Sequence, residues 1–258
     1  MYDDIQHDFK ARLRAGTRLL GTFLKTPGPH ATEIVAGAGF DFVVIDAEHA
    51  PFGPVEIDLM LLAARAAGIA ALVRVQSADP AGILQVLDCG AAGILVPHVA
   101  SAAMLEGVIR ASRYDGGTRG FSNSPRAGLY GARGIRAHIE VADRAISVLA
   151  MIEDLDAIDR LDQIFAVEGL AGAFIGRGDL TAALGLDSTQ APEIQAIVAA
   201  VADSARRHGV PLLAHVGAAS GAEVDWLVDM GVTGLIVASD QGLLRQAALA
   251  NRAAFGST

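Results

Sequence analysis

The sequence predicts an α/β protein built as one (β/α)8 barrel, a TIM barrel, and three observations predict it. Short β-branched or apolar runs alternate with Ala-rich amphipathic stretches, the pattern of βα units around a parallel sheet. Eight strand-like runs and eight helical stretches can be read along the chain. With 258 residues, 52% of them hydrophobic, the chain can bury one large core at a size where barrels remain a single domain, so residues 1–258 are read as one domain.

The strands are expected at 21–25 (GTFLK), 42–46 (FVVID), 71–75 (ALVRV), 93–97 (GILVP), 146–153 (ISVLAMIE), 172–176 (GAFIG), 211–215 (PLLAH) and 234–239 (GLIVAS). Helices are expected between them at 31–38, 54–67, 80–88, 101–112, 155–161, 191–208, 219–230 and 241–253. Several helices run into a glycine and then a strand, as in AAGIAALV and RHGVPLLA, where glycine supplies the left-handed cap that stops a helix. The first residues, MYDDIQHDFKARLRAG, read as a polar leader. Residues 114–135, rich in glycine and arginine, make a connection far longer than the usual one and are read as a long active-site loop.

A net charge of −9, with no run of Lys or Arg, argues against a nucleic-acid or anionic-membrane surface and favours small-molecule chemistry. No signal-peptide core and no membrane-length apolar stretch is present, so a cytoplasmic protein is expected. Cys89 is the only cysteine, which excludes an internal disulfide and a thiolate zinc cluster. Only Lys10 and Lys25 could form a Schiff base, and Lys25 falls at the end of the first strand.

In a parallel barrel the chemistry collects at the carboxyl ends of the strands. Strand 2 ends in Asp46, Glu48 and His49, strand 3 carries Arg74, strand 4 ends at His98, strand 5 at Glu153 and Asp154, strand 6 leads to Arg177 and Asp179, and strand 7 ends at His215. Glu153 and Asp179 leave neighbouring strands, about 4.8 Å apart, so they can converge on a divalent metal such as Mg²⁺, Mn²⁺ or Co²⁺; alternatively one or both cap helices. Arg74, in an apolar strand, must meet an anion, either a substrate oxyanion or carboxylate or a partner such as Asp46 or Glu48. His49 has Asp46 three residues before it, close enough to hold the imidazole in one tautomer and make it a better base. Asp88 is either a second support for His49, from this chain or a neighbouring subunit, or a helix-end residue. His98 and His215 read as pocket histidines, with His215 a further candidate metal ligand.

Taken in order, DAEHAPFG, LVRV, VLDCGAAGILVPHV, MIEDLDAI and FIGRGDLTAALG resemble the HpcH/HpaI aldolases, metal-dependent class II pyruvate aldolases related to citrate lyase β proteins. The resemblance runs from about Gly21 to Ser239 and implies a barrel of the phosphoenolpyruvate/pyruvate-domain type. It implies reversible cleavage of a 4-hydroxy-2-oxo acid to pyruvate and an aldehyde. Glu153 and Asp179 would hold the metal, Arg74 would stabilise the developing enolate, and His49 would be the base, supported by Asp46 and Asp88. The backbone at Gly178 or Asp179 would hold the substrate carboxylate. It further implies a homo-hexamer, a trimer of dimers, in which the C-terminal helix within 240–258 is exchanged between subunits. Two departures stand out: Met151 where some members have glutamine, and RYDGGTRGFSNSPRAGLYG where the usual continuation is RYPP. The rival readings are a CoA-ester lyase of the citrate lyase β type, a Schiff-base aldolase using Lys25, and a metal-free binding or phosphosugar-isomerase barrel.

Overall fold

A computed structural model describes residues 2–256; residues 1, 257 and 258, at the ends of the expected domain and terminal helix, lie outside the described residues. Eight parallel strands close into a barrel in sequence order. They are β1 (Leu19–Leu24), β2 (Phe42–Asp46), β3 (Ala70–Arg74), β4 (Gly93–Val96), β5 (Ser147–Ile152), β6 (Leu170–Ile175), β7 (Leu212–Val216) and β8 (Val232–Ser239). Around them lie α1 (Tyr2–Arg14), α2 (His30–Gly37), α3 (Pro54–Ala67), α4 (Pro80–Asp88), α5 (Ala102–Ser112), α6 (Ile135–Ala145), α7 (Leu155–Ile158), α8 (Leu161–Phe165), α9 (Arg177–Ala183), α10 (Pro192–His208), α11 (Ala222–Asp229) and α12 (Asp240–Phe255). No helix among the described residues is long and apolar enough to cross a membrane.

All eight expected strands are present, and the glycine stops work as expected: Gly68 and Gly209 cap α3 and α10 at φ 74° and 65°. Four helices among the described residues fall outside the expected set, α1, α6, α9 and, but for its first residue, α8. The supposed leader is α1, whose Phe9 and Leu13 are buried in the barrel interior with Phe42, Leu72 and Leu149. The Phe9 and Phe42 rings lie 5.3 Å apart. A side-chain carbon on Gly21 would overlap the Phe42 ring, so glycine on β1 makes room for this plug. Gln6 and Lys10 fasten α1 by donating to the carbonyls of Gly90 (2.9 Å) and of Arg144 and Ile146 (2.9 and 2.6 Å). Thus α1 seals the amino-terminal end of the barrel and leaves the carboxyl end as the mouth. Phe9→Ala should destabilise the fold by about 3 kcal/mol, as expected for a buried aromatic, measurable as a lowered urea midpoint at unchanged slope.

The long segment 113–134 joins the end of α5 to α6, so it lies at the sealed end. Its arginines bind the helices there: Arg119 to Asp88 at the end of α4, Arg126 to Asp58 on α3, and Arg133 to Asp3 on α1. It does not close over the mouth of its own barrel, contrary to the expectation of an active-site loop. The same topology places Asp88 at the far end from the mouth.

Candidate active site

Adjacent registry brings the first charged pair together. Asp46 and Arg74 are register partners at the ends of β2 and β3. Arg74 donates from Nε (2.8 Å) and a terminal nitrogen (2.6 Å) to the two oxygens of Asp46, a bidentate pair almost wholly withdrawn from water. Lys25 Nζ lies 3.0 Å from the same carboxylate, and the His49 backbone N–H donates to it at 3.2 Å. Asp46 therefore holds the chain at His49 through its amide. It does not hold the imidazole ring, which contradicts the expected tautomer-fixing contact: its acceptors are taken by Arg74 and Lys25. Lys25, engaged in this way, is an anchor for a buried carboxylate, which counts against Schiff-base chemistry.

Burial pushes the Asp46 carboxyl up, but the hydrogen bonds and charge of Arg74, with Lys25 and the His49 amide, more than offset it and hold the group at about 2. Because the folded value lies below the ordinary 3.8, the resulting stability is present above pH 4 and is lost as pH falls through about 2. It amounts to about 2 kcal/mol. Urea unfolding at a series of pH values between 6 and 2 should show this loss, with a shallower dependence in Asp46→Asn.

Glu48, whose role the sequence did not define, bridges the site. Its carboxylate lies 3.2 Å from Arg74 and 3.7 Å from each of the Nε2 atoms of His49 and His98. His98 has a left-handed backbone, φ 56°, uncommon for a residue with a side chain. In this conformation its N–H donates to Glu153 Oε1 at 2.8 Å, while its ring Nδ1 lies 3.2 Å from Asp154. The nearby carboxylates of Asp154, Glu153 and Glu48 outweigh partial desolvation and raise the His98 pKa. A left-handed turn at His98 has no signature in the sequence.

Glu153 is 3% exposed. Burial first, then the charges of Asp179 and Glu48, push its carboxyl up to about 7 against the opposing His98 N–H and ring. Gly176 permits this placement, since a side-chain carbon there would overlap Glu153. Asp179 is the third residue of α9 and is exposed. Neither carboxylate is a helix cap: Gly176 stands at the cap of α9 and Asp154 at that of α7. Two hard oxygen donors, one buried at a cost and near enough to the other to feel its charge, fit a divalent cation. Among the described residues no group of three or more His, Cys, Asp or Glu side chains could hold one, so most coordination positions would remain open. His215 does not join this pair. It faces the other wall, its ring 6.2 Å from Phe23, with its pKa lowered by burial and by Arg177.

Arg74 and Asp179 border a cavity of about 430 Å³ that Phe23, Met151, Phe174 and His215 also line. One wall is an ion pair that sequence reasoning did not foresee, the buried Arg177 to the half-buried Glu223 at 2.9 Å, with Arg177 also donating to the His215 carbonyl at 2.6 Å. The mouth is thus divided between carboxylates from β2, β5 and α9 and cations from β1, β3 and α9. Gly178 sits in the first turn of α9, where backbone N–H groups have no helical acceptor. Asp88 is absent from this group, 2.8 Å from Arg119 at the sealed end.

The family model for HpcH/HpaI aldolase/citrate lyase matches residues 19–247. The chain belongs to this family. A 5-keto-4-deoxy-D-glucarate aldolase of Klebsiella pneumoniae is 35% identical over 243 residues, 93% of each chain. The crystal structure of an HpcH/HpaI aldolase/citrate lyase family protein from Burkholderia cenocepacia superposes with a TM-score of 0.90 at 27% identity, covering 97% of this chain and 98% of that one. The citrate synthase SbnG superposes with a TM-score of 0.83 at 32% identity, covering 96% and 98%. As a member of the HpcH/HpaI family the chain is a carbon–carbon lyase of the aldolase kind, and its barrel is the family barrel.

Proposed function

We propose that this HpcH/HpaI protein is a divalent-cation-dependent class II aldolase that cleaves 4-hydroxy-2-oxo acids reversibly into pyruvate, or a related 2-oxo acid, and an aldehyde. One observation carries the reading: a buried Glu153 under the charge of Asp179, which lines a small-molecule cavity together with a fixed guanidinium, Arg74. The Klebsiella relative, named for cleavage of a keto-deoxy sugar acid, supports the substrate class.

Glu153 and Asp179 would hold Mg²⁺, Mn²⁺ or Co²⁺, which when bound supplies Lewis-acid polarisation of the 2-oxo group. The amides at Gly178 and Asp179 would receive the substrate carboxylate. His49, exposed to the mouth and set beside Glu48, would take the proton of the C4 hydroxyl as the C3–C4 bond breaks and C4 becomes the aldehyde carbonyl. The bonding electrons remain on the 2-oxo acid fragment, where Arg74, held by Asp46 and Glu48, stabilises the developing charge, and protonation of C3 completes pyruvate.

Assembly belongs to the same reading. α12 buries none of its residues in its own chain and exposes Leu244, Leu249 and Phe255, as suits a helix exchanged between subunits of a hexameric trimer of dimers. In such an assembly Asp88 would serve a neighbouring subunit's His49. Chelator treatment should remove more than about 99% of cleavage activity and of the exchange of pyruvate C3 hydrogens with D2O, and Mn²⁺ or Mg²⁺ should restore both. Undiminished activity in chelator, or borohydride trapping of pyruvate on Lys25, would refute the proposal.

A further inference from the structure

At the sealed end of the barrel, under segment 113–134, lies a second cavity, of about 30 Å³, lined among others by Gln6, Gly90, Arg119, Arg126, Arg133 and His138. The guanidinium of Arg119 has no exposed surface. One of its terminal nitrogens donates to Asp88, but Nε and the other terminal nitrogen have no acceptor. Arg126, nine-tenths buried, spends one terminal nitrogen on Asp58 and leaves its Nε without an acceptor. Asp3 also lines the cavity but is engaged by Arg133. Three donors on two buried cations that line one cavity are therefore left over, with the Nδ1 of His138, in the same lining, also without a partner.

Buried donors of cationic groups are among the most expensive to leave unmet, so something must accept from them. A water has two lone pairs and no charge; an anion accepts from all three donors and compensates both guanidinium groups. The local potential is positive: besides burial, the charges of Arg119 and Arg133 lower the pKa of the fully buried His138. Size then limits the choice. A cavity of about 30 Å³ has room for roughly two water-sized spheres. That suits a monatomic anion and is too small for phosphate or a metabolite carboxylate.

We propose that this cavity is a binding site for a small inorganic anion of halide size, held by Nε and a terminal nitrogen of Arg119 and by Nε of Arg126. Both arginines belong to segment 113–134 and grip α4 and α3 through Asp88 and Asp58. The anion is thus the joint that docks the segment onto the barrel.

Crystals of the intact protein grown in bromide should show an anomalous peak between Arg119 and Arg126. In solution, chloride replacing gluconate at constant ionic strength should raise the melting temperature by about 3–6 °C along a saturating curve. Arg126→Met, the variant that leaves Arg119 and Asp88 in place, should flatten that curve. The wild-type bromide map keeps the test decisive even where a variant folds poorly. Density without anomalous signal means water and overturns the proposal. A bromide peak with a melting temperature indifferent to halide means an adventitious ion only and overturns it equally.

Discussion

Glu153→Gln should bind Mn²⁺ at least about 100-fold more weakly than the wild type and cleave 4-hydroxy-2-oxo acids at least about 1,000-fold more slowly. Glutamine preserves the volume that Gly176 admits and can still accept the His98 N–H, so the fold around it should be unchanged. What it lacks is the negative charge. In the wild type that charge is kept in a buried position beside Asp179 and Glu48, an arrangement unfavourable enough to push the carboxyl up to about 7. A side chain placed at such a cost stabilises the protein only when a cation stands between the carboxylates. The cation-free variant should accordingly melt at a higher temperature than the cation-free wild type, and added Mn²⁺ should raise the wild-type melting temperature while leaving that of the variant unmoved. Isothermal titration and melting curves, each with and without Mn²⁺, check both expectations. Mn²⁺ binding of wild-type strength in Glu153→Gln would place the cation elsewhere.

The barrel was legible in the sequence, and so was which polar residues stand at its mouth, because both depend on local order: apolar runs mark strands, and the polar residue after each run marks the mouth. The same logic explains why Arg74, in an apolar strand, was expected to meet an anion, which it does in Asp46. What could not be read depends on contacts between distant segments. α1 looked like a polar leader because only Phe9 and Leu13 of its apolar residues go deep into the barrel, and their partner Phe42 lies across a glycine on another strand. Segment 113–134 suggested a lid because of its glycines and arginines, yet as the connection from a helix to the next βα unit it had to lie at the sealed end. Asp46 illustrates a finer limit. Three residues from His49 it promised a ring contact, but β2 and β3 place it in register with Arg74, and a buried bidentate pair takes precedence over an exposed imidazole. Glu48 and His98 gained their roles from the same side-by-side geometry, through Arg74 in one case and through a left-handed backbone in the other.

Asp46→Ala should lower stability by about 3–5 kcal/mol, the cost of removing one member of a buried ion pair. The loss is large because Arg74 is 6% exposed and cannot turn to water, and because Lys25 loses the same partner, leaving two cations with Glu48 as the remaining nearby anion. Asp46→Asn should cost less, since an amide oxygen still accepts from Arg74. Replacing both partners, as Asp46→Leu with Arg74→Met, should recover much of the stability, because a well-packed apolar pair avoids the desolvation of both charges. Activity should follow the opposite course. The double variant should remain at least about 1,000-fold impaired in kcat/KM, having no guanidinium to meet the charge that develops on the 2-oxo acid fragment. Stability regained while activity stays lost would mean that the bidentate pair fixes Arg74 for the substrate, its contribution to folding being secondary. A double variant as active as the wild type would show that the charge is stabilised without Arg74, and the assignment of that residue would fall.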